Sequence, residues 1–342
     1  MTPYRHLLWA CVLLAACEGN PFLEETDTDT GTTSDGGINS DGAPVTTTSP
    51  SPSGTIVRRE ATSTDSTETG NGYVEDVTYD SGTDTFTVTG LAFDGGNVYQ
   101  RGTSVSSLGQ LGQFAVYEAD STYADDVTGT AISQFSHRAL YGRSTSGNTE
   151  FAVVRTGAYA SYGYGGFLYQ RNSAGAVTLK TSGQANYAGQ YGGLRDFDGA
   201  GGLEYVDGDM TIAIDFDAFA DGEAVDGRVR NRSIYDVNGN DITSDVVTAL
   251  NTEYSTSLTT LPVMTFTIDP DALDANGEMS SGVTSTVGGE AFEEGNYYAV
   301  LSGDMTAGGN DEIVGIIVVT ADDPRADGVT VRETGGFLLY RN

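Results

Sequence analysis

The feature that most constrains this chain is a strict two-residue alternation in its C-terminal half. Met210, Ile212, Ile214 and Phe216 alternate with Thr211, Ala213 and Asp215, and Met264, Phe266 and Ile268 alternate with Thr265 and Thr267. Successive strand residues point to opposite faces, so each run buries one face and wets the other. Strand-length runs also fit residues 185–191, 203–207, 225–235, 297–303, 312–320 and 335–341. Turn signals stand between them at Asp221-Gly222, Asn238-Gly239, Asn276-Gly277 and Gly308-Gly309. Eight strands with one apolar face and glycine-rich turns predict an all-β fold, an eight-stranded antiparallel up-and-down β-barrel over residues 173–342. Closure removes the exposed edges that a flat sheet would leave. Residues 242–255 lack alternation; Val246, Val247 and Leu250 share one helical face, predicting a short helix in an inter-strand loop.

Residues 72–172 read as a smaller β-rich domain. Strands fit 74–79 and 85–93, joined by Asp80-Ser81-Gly82-Thr83-Asp84, then 112–118, 139–143, 150–155 and 165–171, while 120–127 fits a turn of helix. Its last strand, Gly165-Gly166-Phe167-Leu168-Tyr169-Gln170-Arg171-Asn172, matches the chain's last eight residues at six positions. The repeat marks a boundary at 172–173, with Phe167 and Phe337 expected inward and Arg171 and Arg341 at the strand exits.

The N-terminal region has a different physical character. Arg5 and His6 precede an apolar run over residues 7–16 that ends in Leu14-Ala15-Ala16-Cys17. The run is too short to span a bilayer and reads as a signal peptide over 1–17, with lipidation of Cys17 tethering the chain to a lipid bilayer. Glu18 in place of Asp points to the outer membrane. Residues 18–71, rich in Thr, Ser, Asp, Gly and Pro, read as a disordered tether that cannot bury enough apolar surface to order itself. A flexible chain of about 53 residues spans roughly 40 Å. Val57-Arg58-Arg59-Glu60 breaks the pattern and is expected to dock on the first domain.

Composition narrows function. Net charge is −32, and Lys180 is the only lysine. Such acidity suits high salt and repels nucleic acid. Of the two cysteines, Cys11 leaves with the signal and Cys17 takes lipid, so no disulfide is expected.

Several short motifs resemble the barrel domain of bacterial surface lipoproteins of the transferrin-binding protein B and factor H-binding protein type. They are Tyr187-Ala188-Gly189-Gln190-Tyr191, Asp215-Phe216, Val225-Asp226-Gly227-Arg228-Val229 and the closing Gly-Gly-Phe strand. The resemblance covers residues 176–342 and implies a lipidated anchor, a small handle domain (here 72–172), a barrel, and a binding module for a protein or solute rather than an enzyme.

Candidate chemistry is sparse. A hydrolase would need His137, the only histidine after processing, beside a serine and a carboxylate. Histidine and cysteine are too few for a metal site built on them. Asp236-Val237-Asn238-Gly239-Asn240-Asp241 and the Asp269–Glu278 stretch supply oxygens of the kind calcium takes, but both fit ordinary Asx turns better. No cofactor is implied. Arg228, Arg230 and Arg232 alternate on one strand, so they are expected on one face as an anion site or as cross-strand partners of carboxylates. Tyr159, Tyr162 and Tyr164, in a glycine-rich approach, are the candidate exposed ligand patch. A structural envelope lipoprotein without a dedicated ligand is the alternative to a binding module.

Overall fold

A computed structural model describes residues 44–46, 50–62, 72–158, 162–218, 224–270 and 272–342. Cys17, Tyr159 and the Asp221-Gly222 turn, together with the signal peptide and most of the expected tether, lie outside the described residues.

The first strands are β1 (Pro44–Thr46), β2 (Ile56–Glu60), β3 (Asp76–Asp80), β4 (Thr85–Thr89), β5 (Val98–Arg101), β6 (Ser107–Leu108), β7 (Phe114–Glu118), β8 (Thr122–Ala124) and β9 (Ala131–Ser133). They continue with β10 (His137–Arg143), β11 (Thr149–Thr156) and β12 (Gly165–Arg171). Ten of these form one antiparallel sheet in the order β1-β2-β12-β11-β10-β7-β5-β4-β3, with β6 alongside β7, while β8 and β9 form a separate hairpin. The expected turn of helix over 120–127 is instead β8 and a tight loop. Asp125 Oδ1 accepts from the backbone N–H of Val127 and Thr128 and from the Thr128 hydroxyl, offering that segment a partner that competes with a helical ladder.

The barrel comprises β13 (Gln184–Asp198), β14 (Leu203–Asp215), β15 (Ala224–Asp236), β16 (Met264–Phe266), β17 (Glu278–Val287), β18 (Glu290–Ser302), β19 (Glu312–Asp322) and β20 (Thr330–Arg341). Each strand pairs with its successor, and β20 pairs back with β13, so the predicted eight-stranded up-and-down barrel is closed. Its strands are not all those the alternation named. Residues 203–207 and 210–215 belong to one strand, β14, interrupted by a register shift between Asp207 and Asp209. The eighth strand is β17, whose inward positions include Ser281 and Ser285 and so mask the apolar face. Helix α1 (Thr243–Glu253) lies where expected and buries Val246, Val247 and Leu250 against the barrel core.

Packing explains the apolar runs. In β19, Ile313, Ile317 and Val319 join the barrel core, whereas Val314 and Ile316 join a second cluster with Ile56, Phe114, Phe151 and Phe167 of the ten-stranded sheet. Both faces of β19 are therefore buried, as they are for much of β18 and β20, because the sheet packs on that side of the barrel. At the closing seam Gly192 pairs with Gly336 and Gly193 with Gly335. The Tyr191 ring occupies the space of a side chain at Gly335 inside the barrel, and the Phe151 ring does so at Gly336 outside it.

The two Gly-Gly-Phe strands thus serve different layers. Phe167 packs between sheet and barrel, while Phe337 packs in the barrel core. Arg171, the last residue of β12, stands at the strand exit but is fully buried there, and its guanidinium donates to the carbonyls of Asn276, Leu301 and Ser51.

The tether was expected to run to residue 71, but ordered chain reaches further back. Strand β2 pairs with β12, Ile56 is wholly buried, and Val177 N–H donates to the Pro52 carbonyl. Arg58 forms a bidentate pair with Glu278 of the barrel at 2.6 and 2.7 Å, and Arg155 pairs with Glu60 at 2.9 Å. The apolar signal of β2 is limited to Ile56 and Val57, while Arg58 and Glu60 are held by charge partners distant in sequence.

Candidate interaction surface

The barrel interior is a filled core. Phe266 stacks on Tyr297 with centroids 3.7 Å apart, and α1 adds its apolar face. Toward one end the lining becomes ionic. Arg232 makes a bidentate pair with Glu293 at 2.7 and 2.6 Å and lies 3.2 Å from Glu333, to which Tyr191 donates at 2.8 Å. Arg195 bridges Glu333 and Glu204, and Arg325 joins Glu204 to Asp323 nearer the surface. Burial opposes ionisation of Glu293, but the adjacent Arg232 overcomes it and holds the carboxyl low. These charges pair with one another inside the barrel, so each is accounted for by an internal partner rather than by a ligand.

This corrects the expectation for the three arginines. Asn231 has φ 52, and β15 bulges there, with Asp207 opposite Ser233 but Asp209 opposite Arg230. The extra residue turns Arg232 into the barrel. Arg228 and Arg230 stay exposed, and Arg228 pairs with Asp226 on its own strand at 3.0 Å rather than across the sheet.

Tyr162 and Tyr164 are half-buried rather than part of an exposed patch. Tyr162 Oη shares a hydrogen bond with Thr330 Oγ1 at 2.8 Å, and the Arg332 guanidinium lies 4.6 Å from its ring centroid. Tyr164 packs edge-on against Tyr73 at 4.8 Å. The Asp-rich turns close on themselves: Asp236 accepts from the backbone of Asn238 and Asn240, and Asp274 from that of Asn276 and Glu278.

His137 is completely buried between the rings of Tyr99 and Phe135, with centroids at 6.4 and 6.3 Å. Burial pushes its imidazole down to about 4, against a smaller opposing contribution from the Phe135 backbone. Neither ring nitrogen has a hydrogen-bond partner of good geometry, so the triad that a hydrolase would need is not assembled around it.

A different surface stands out. Of the eight large apolar side chains exposed among the described residues, five fall on the 93–98 segment and the β8–β9 hairpin beside the ten-stranded sheet, which together form one corner: Phe93, Val98, Tyr123, Val127 and Ile132. The corner is built by the 93–98 loop lying against the β8–β9 hairpin. Phe135 N–H donates to the Phe93 carbonyl at 2.8 Å, and the two rings lie 5.5 Å apart. Gly95 and Gly96 admit the approach of Asp120 and the Tyr123 ring, where side chains would collide. Tyr123 stands directly across from Ile132.

The backbone is strained here, because Phe93 has φ 57. A left-handed conformation costs an aromatic residue roughly 1–2 kcal/mol. Beneath the corner, Tyr99 Oη donates to the buried Asp94 carboxylate at 3.2 Å, and burial raises the Asp94 pKa. The sequence reading missed this surface. Its signal was the unusual pairing of Phe93 with Asp94-Gly95-Gly96-Asn97, a turn that leaves a large ring unburied.

No family model matches the chain, and no curated protein matches it. Among solved structures it is similar to transferrin binding protein B of Haemophilus parasuis Hp5, a vaccine antigen solved as a point mutant. The identity is 10%, the TM-score 0.32, and the match covers 85% of this chain and 64% of that one. Intact Ap-TbpB, with N and C lobes, gives 10% identity, a TM-score of 0.31 and coverage of 85% and 65%. The chain spans under two thirds of the length of either structure. A protein of unknown function from Nostoc punctiforme gives 10% identity and a TM-score of 0.20, covering 85% of this chain and 92% of that one.

Proposed function

We propose that this chain is a surface lipoprotein, anchored in the outer membrane through Cys17, that acts as a binding module and not as an enzyme. The ten-stranded sheet takes the part of a handle and presents the Phe93–Ile132 corner to a macromolecular partner. The observation that carries this reading is the concentration of exposed apolar side chains on one strained corner. A purely structural envelope protein gains nothing from holding Phe93 outward in a costly conformation. The filled barrel core favours binding on the outer surface over uptake of a solute into the barrel.

The test is site-specific photo-crosslinking in intact cells, with a benzophenone amino acid at Ile132 and, as control, at the exposed Arg230 of the barrel. Discrete higher-mass adducts are expected from position 132 and not from 230. Absence of adducts at 132, or equal yields at both positions, would overturn the reading.

A further inference from the structure

The charge around this corner narrows its partner. Residues 91–100 and 119–136, which build it, contain four aspartates and no lysine, arginine or glutamate. Asp94 is buried beneath, whereas Asp120 and Asp126 are exposed and Asp125 is half-buried in the turn beside the apolar side chains. The Asp125 pKa is lowered, first by the Thr128 side chain and then by backbone N–H groups, so it remains ionised. Tyr123 Oη donates to Asp126 at 3.3 Å, placing that carboxylate beside the apolar centre. The flanking cations are already engaged: Arg101 with Asp84 at 2.6 Å and Arg138 with Glu118 at 3.3 Å.

On this basis, and resting on the reading above, we infer that the corner docks a protein segment that presents apolar side chains flanked by lysine or arginine. An apolar centre with a single-signed rim selects a partner of opposite sign, because like charges facing each other across an interface cost several kcal/mol. The same rim disfavours other occupants. A second copy would set Asp125 and Asp126 against their own equivalents, and anionic lipid or nucleic acid would meet them with phosphate. Val127 is 93% exposed in the β8–β9 loop, and Tyr123 and Ile132 face each other across the same hairpin. Rigid aromatic and branched side chains of this kind lose little entropy when covered.

The probe is a fluorescent twelve-residue peptide alternating leucine with lysine, offered to the full mature chain and followed by anisotropy. Its counterpart with glutamate in place of lysine and vesicles of anionic phospholipid are the comparisons. Binding of the lysine peptide is expected, and at least tenfold weaker binding to the Y123S/I132S variant, which keeps every charge. The Asp125→Asn/Asp126→Asn variant is expected to bind several-fold more weakly, with a flatter dependence on salt. Equal binding of the glutamate peptide, retention on anionic vesicles, self-association of the free chain that Y123S/I132S abolishes, or lysine-peptide binding unchanged by Y123S/I132S would each overturn the inference. Crosslinks at position 132 in cells together with any of those results would overturn the partner chemistry and leave the binding reading standing. A missing crosslink would overturn the binding reading itself.

Discussion

At the scale of single residues, the decisive positions are those whose neighbours lie far away in sequence. Gly336 is glycine because Phe151, from another sheet, fills the place of its side chain. Arg232 reads as the third member of an alternating exposed row until the bulge at Asn231 puts it inside the barrel, beside Glu293 and Glu333. His137 carries a prediction. Its pKa falls from 6.5 to about 4 on burial, so between those values the unfolded chain takes up a proton that the folded chain refuses. Its contribution to stability is thus present above pH 6.5 and is lost as pH falls toward 4. Relative to His137→Leu, the native chain is expected to lose about 3 kcal/mol between pH 7 and pH 4, read as the difference in urea midpoints. Parallel pH profiles for the two proteins would show that the imidazole titrates normally.

At the scale of elements, β2 is the strand whose role depends most on context. It closes the β12 edge of the sheet and supplies Glu60 to Arg155 and Arg58 to Glu278. A chain beginning at residue 72 would leave Arg155 buried with its carboxylate gone and would expose a strand edge. Such a chain is expected to be less stable than one beginning at residue 44 by at least about 3 kcal/mol, and to self-associate. Chemical denaturation and sedimentation velocity check both effects; equal stability and a monomeric state for the shorter chain would refute the assignment. The elements also show how far periodicity reaches. The second half of strand β14 and helix α1 were legible because their apolar residues repeat at the right period. Strand β17 was not, since inward Ser281 and Ser285 replace apolar residues in the pattern, and Ser285 there donates to Glu293 at 2.6 Å.

At the scale of the whole molecule, two electrostatic regimes coexist. The net charge of −32 repels itself across the surface, whereas Arg155, Arg195, Arg232 and Arg332 are paired in the interior. Salt screens exposed charges and leaves buried pairs largely untouched. Raising sodium chloride from about 0.05 M to about 0.5 M is therefore expected to increase the melting temperature. A melting temperature that falls with salt would mean that exposed ion pairs, not the interior ones, hold the fold. The same separation bears on binding, because attraction at the acidic corner weakens in the salt that stabilises the chain.

The sequence alone determined the all-β class, an up-and-down barrel, the helix between two of its strands and the acidic charge. Each follows from local periodicity or from counting charges, and neither requires knowing which strands meet. The strand count of eight, by contrast, arose from reading β14 as two strands and passing over β17. Only the tertiary structure decided which face of β19 meets the sheet, that β2 belongs to the fold, that Arg232 points inward and that Phe93 stays outside. These depend on pairings between residues remote in the chain, such as Arg58 with Glu278 and Gly336 with Phe151, which leave no periodic trace in the sequence. The apolar corner at Phe93, Tyr123 and Ile132 belongs to this second kind. Its residues have the types of an ordinary core, and only their exposure makes them a surface.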